Sequence, residues 1–75
     1  MTTARKKDHF EVVWTMKNQG DASRDADTIV DALHELSNII HTHAVVRFAI
    51  YEVGKNPGER RCVLHASKIR GKWIV

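Results

Sequence analysis

Polar and apolar positions alternate along residues 9–17. Phe10, Val12, Trp14 and Met16 fall on one side, and Glu11, Val13, Thr15 and Lys17 fall on the other. A period of two marks a half-buried strand. Asn18-Gln19-Gly20-Asp21 then reads as a loop, and from about Ser23 to His41 the period lengthens to that of an amphipathic helix. Ala26, Ile29, Val30, Leu33, Leu36 and Ile40 form its apolar stripe, with Ile39 at the margin; Asp27, Asp31, His34, Asn38 and His41 take the polar side. Ser23 or Asp21 is placed to cap the helix, with Asp25 and Asp27 near its positive end.

Alternation returns over residues 44–53, where Val46, Phe48 and Ile50 oppose Val45, Arg47, Ala49, Tyr51 and Val53. Asn56-Pro57-Gly58 breaks that run as a turn. In the next strand, over residues 60–67, Cys62, Leu64 and Ala66 face away from Arg61, Val63, His65 and Ser67. Arg70-Gly71 leads either into a short further strand, Lys72 to Val75, or into a tail. The pattern predicts an α+β domain of β-α-β-β(-β) order. One amphipathic helix packs on one face of a three- or four-stranded sheet and hides Phe10, Trp14, Phe48 and Leu64. If the first two strands share the sheet, a parallel right-handed crossover joins them. Residues 9–75 form this single domain, behind a flexible basic tail at residues 1–8.

Composition agrees with strands. Eight Val and six Ile stand against three Leu. At 75 residues the chain holds one small domain, with a core worth only about 3–5 kcal/mol of net stability, so a partner or a second copy gains weight as part of the working state. An apolar fraction of 43% and a charged fraction of 28% exclude wholesale disorder. The single cysteine, Cys62, points to a reducing, cytoplasmic setting, and neither a membrane span nor a secretory signal is read in the sequence.

The net charge of +3 conceals a separation. Arg5, Lys6 and Lys7 make the start basic, and Asp21, Asp25, Asp27, Asp31 and Glu35 make the middle acidic. Lys55, Arg60, Arg61, Lys68, Arg70 and Lys72 make the last third basic. One reading is helix-dipole complementarity and solubility. The other is an electrostatic footprint for phosphate.

No pattern fixes a catalytic activity. His41-x-His43 and Cys62-x2-His65 resemble a metal-ligand set, but residues three apart in a regular strand project to opposite faces, so Cys62 and His65 cannot share an ion without a bulge. Cys62 falls beside Leu64, where a cysteine acts as a small hydrophobe. No Ser-His-acid spacing and no glycine-rich phosphate loop is present. The reading is therefore a non-enzymatic protein with no catalytic residue, metal or cofactor. A minor alternative is a small metal-free ribonuclease using His65 with Arg61 and Arg47.

The leading expectation is a regulatory or inhibitor-type binding protein that docks on a larger protein of the nucleic-acid machinery. A single helix leaves the second sheet face uncovered, and Arg47, Tyr51, Arg61 and His65 are expected to gather there as a docking patch. The acidic helix face, Asp27, Asp31 and Glu35, is the alternative protein-binding surface. Direct DNA or RNA binding by Arg60, Arg61, Lys68, Arg70 and Lys72, with Trp73 as a stacking ring, is the competing class. A homodimer through the open face is a further alternative; a membrane partner is not expected.

Overall fold

The computed structural model describes residues 9–56 and 58–75. Among them the order is β1 (His9–Met16), β2 (Gly20–Ala26), α1 (Ile29–Thr42), β3 (Val45–Val53), β4 (Arg60–Ile69) and β5 (Lys72–Ile74). The five strands form one antiparallel sheet in the order β2-β1-β3-β4-β5, with α1 packed on one face. The α+β class and the single covering helix are as the sequence predicts. The sheet has five strands where three or four were expected. The tail expected at residues 1–8 lies outside the described residues, as does Pro57 of the turn between β3 and β4.

The extra strand is β2, in the segment that periodicity assigned to a loop and the first helical turn. Asn18 (φ 66) and Gly20 (φ 79) take left-handed backbone conformations, and the Gln19 N–H donates to the Met16 carbonyl at 3.2 Å. That turn folds Gly20–Ala26 back on β1, pairing Met16 with Gly20 and Phe10 with Ala26. The hairpin also changes the expected crossover. β1 and β3 are antiparallel neighbours, and it is β2 and β3, with β1 between them, that α1 connects.

With β2 in place, the helix starts at Ile29. Thr28 caps it, its hydroxyl accepting the Asp31 N–H at 3.1 Å, so neither Ser23 nor Asp21 is the cap. The buried side of α1 is Ala32, Leu36 and Ile39, while Ile29, Val30 and Leu33 are exposed. The expected stripe is thus turned: Ile39 moves from the margin to the centre, and the small Ala32 lets the helix approach the sheet.

The core joins that side to Val12, Trp14, Ala26, Val45 and Ile50, with Phe10, Ala22, Phe48, Leu64 and Trp73 packed around it. Val45, not Val46, is buried, because the β1–β3 register shifts between Thr15 and Met16. Of the residues from Lys72 to Val75, Lys72–Ile74 form the short further strand, and its Trp73 ring packs on Phe48 with centroids 5.1 Å apart. Among the described residues no helix is long and apolar enough to cross a membrane.

Candidate functional site

α1 touches β1, β2 and β3 on one side of the sheet, and no helix among the described residues covers the opposite side. On that open side Thr15, Arg47 and Ser67 line up across β1, β3 and β4; beside them run Val13, Ala49 and His65; and beyond these Glu11, Tyr51 and Cys62. Ala49 is the smallest residue in the middle of the array. Its missing bulk leaves a depression of about 280 Å³ whose walls include Val13, Thr15, Arg47, Tyr51, Cys62 and His65.

One irregularity decides who belongs to this face. Ile50 pairs with Leu64, yet Tyr51 pairs with Cys62, so β4 carries one extra residue there, a β-bulge. Beyond the bulge every side chain changes sides. Arg61, expected beside Tyr51, lies opposite Glu52 on the helix side and is ion-paired with it. Arg60 takes its place: the guanidinium lies 4.2 Å from the Tyr51 ring centroid and is ion-paired with Glu11 at 2.8 Å. Cys62, expected beside Leu64 on the apolar side, is exposed on the open face. Of the four residues expected to gather, Arg47, Tyr51 and His65 do so and Arg61 does not. Arg60 and Cys62 were missed because a bulge has no signature in an alternating pattern.

The same bulge brings Cys62 and His65 to one face, which strict alternation forbids. No group of three or more His, Cys, Asp or Glu side chains suited to a metal ion occurs among the described residues. The rest of the face is tied by polar contacts near β2: Thr15 donates to Asp21 at 2.6 Å, and His9 approaches Asp25 at 3.9 Å.

The acidic helix surface is partly engaged. Glu35 accepts from Arg24 at 2.8 Å, while Asp27 and Asp31 are exposed near the helix start. The basic set read from the last third of the chain is divided. Arg60 and Arg61 are ion-paired on opposite sides of the sheet, at the end of β4 away from Lys68, Arg70 and Lys72. Trp73 is half-buried against Phe48, with the Lys68 ammonium 5.7 Å from its ring centroid. Comparison with protein-family models, with curated proteins and with solved structures finds no match for this chain.

Proposed function

We propose that this is a non-enzymatic binding protein that docks on a larger protein through the open face of its sheet, around the Ala49 depression. The observation that carries this reading is the lining of that depression. Tyr51, held under Arg60, offers an aromatic ring whose position is already fixed, and Arg47 and His65 supply polar contacts on either side. Aromatic and arginine side chains that become desolvated at the centre of a formed interface are the usual anchors of protein binding. Holding Tyr51 in place before binding lowers the entropy cost of ordering it. The charge separation along the chain fits a partner from the nucleic-acid machinery.

The test is affinity capture from nuclease-treated lysate with three forms of the protein. The wild type retains a specific protein. Tyr51→Ala with His65→Ala reduces that retention by roughly 2 kcal/mol or more of binding free energy, the scale of an interface hot spot. Asp27→Ala with Asp31→Ala leaves it intact. Loss of capture in the helix variant alone would place the surface on α1 instead.

A further inference from the structure

The sheet brings together cations that are scattered in sequence. The β1–β2 turn, the end of α1, the start of β3 and the β4–β5 turn all lie at one end of the molecule: Arg47 pairs with both Thr15 and Ser67, Ile69 pairs with Lys72, and the Lys17 N–H donates to the Ala44 carbonyl at 3.1 Å. That end carries Lys17, Arg47, Lys68, Arg70 and Lys72, all exposed, and none of them has a carboxylate within ion-pair distance among the described residues. Elsewhere Arg24, Arg60 and Arg61 are each paired, and Lys55, in the β3–β4 turn at the opposite end, stands alone without a carboxylate partner among the described residues. The acid at the cationic end, Asp21, sits on the far edge strand β2, separated from β4 by β1 and β3, and accepts from Thr15.

A second observation singles out the β4–β5 turn. Its two loop residues, Arg70 (φ 53) and Gly71 (φ 82), both have positive φ, as a type I′ hairpin turn requires. The first position of such a turn favours Asn, Asp or Gly, and a long side chain there is held in a sparsely populated conformation. Strain retained at a tip is a pointer to function when the strained residue has the chemistry to act, and here the strained residue projects a guanidinium from the tip of a cationic end.

We propose that this end docks on the phosphate backbone of double-stranded DNA. The preference for duplex over single strand comes from the rings. Stacking of unpaired bases beside these cations needs a free aromatic face at the same end, whereas Trp73 packs on Phe48 and Tyr51 lies further along β3, level with Glu11 and Cys62. What remains is a set of point charges and one guanidinium fork, suited to phosphates and blind to base sequence. The cations most involved, Lys17, Lys68, Arg70 and Lys72, lie apart from the Ala49 depression, and of the five only Arg47 also lines it.

The experiment is fluorescence anisotropy of a short random-sequence DNA duplex, titrated with the full chain across a salt series. Four phosphate contacts give a log–log slope of about −3.5. Arg70→Ala with Lys72→Ala flattens the slope by about 2 and weakens binding at low salt at least about tenfold. Arg60→Ala with Arg61→Ala removes the same formal charge from the other end and leaves slope and affinity close to wild type. Arg70→Asn separates binding from folding, since it suits the turn: its melting temperature rises while its affinity for duplex falls. Absence of duplex binding by the wild type at low salt, equal losses in the two charge-matched variants, or tighter binding of a single strand of the same sequence would each overturn the proposal.

Discussion

Cys62 shows how much one inserted residue changes. By alternation it belongs with Leu64 under the helix; by the register of β4 it faces solvent beside Tyr51 and His65. Its thiol in the native protein should therefore react with a maleimide or a disulfide reagent without denaturant, because the side chain is open to the reagent. A thiol that labels only after denaturant is added would mean that β4 runs without the bulge. Trp14 is the opposite case, a ring 6% exposed in the centre of the core whose indole Nε1 finds no acceptor among the described residues. Trp14→Ala opens a cavity beneath α1 and should cost roughly 3–5 kcal/mol, as much as a domain of this size has to lose. The cooperative thermal transition followed by circular dichroism should disappear; an unchanged melting curve would remove Trp14 from the core.

At the scale of elements, the strongly patterned segments were legible and the weakly patterned ones were not. β1, β3, β4 and most of α1 follow from their periodicity, and Arg47, Tyr51 and His65 fall on the open face as read. β2 was not legible because Gly-Asp-Ala-Ser-Arg-Asp-Ala has neither β-branched residues nor apolar alternation. It is a strand because the turn at Asn18 and Gly20 returns it to β1, and because Ala22 and Ala26 are small enough to lie beneath the helix. Of the acids expected near the helix start, Asp25 belongs to that edge strand and Asp27 lies between it and the true cap, Thr28. Thr28→Ala should lower stability by about 1 kcal/mol, measured by urea denaturation, whereas Ser23→Ala should change it within about 0.5 kcal/mol, as at an ordinary surface site. A larger effect at Ser23 than at Thr28 would restore the earlier helix boundary. The exchange of Arg61 for Arg60 on the open face has the same origin as the Cys62 reversal: pairing register, which depends on contacts distant in sequence.

At the scale of the whole molecule, the sheet presents two different surfaces. Its open face has a recess over Ala49 with an aromatic ring beside it, and one end has five exposed cations without carboxylate partners among the described residues. The two are adjacent through Arg47, which lines the recess and marks the near edge of the cationic end. A protein bound to the recess and a duplex bound to the end would therefore meet across Arg47, so Arg47→Ala should weaken both contacts while Tyr51→Ala weakens only the first. Parallel capture and anisotropy measurements on these two variants check that division; a protein contact indifferent to Tyr51 would move the docking surface off the recess.

The most direct measurement uses the thiol inside the recess. Cys62 is labelled in the free protein and in the complex captured from nuclease-treated lysate, and the two rates are compared by mass spectrometry. A partner seated over Ala49 covers Cys62, and the interior of a packed interface excludes solvent and reagent alike, so labelling in the complex should slow by an order of magnitude or more. Labelling at the same rate with the partner bound would show that the open face of the sheet is not where this protein docks.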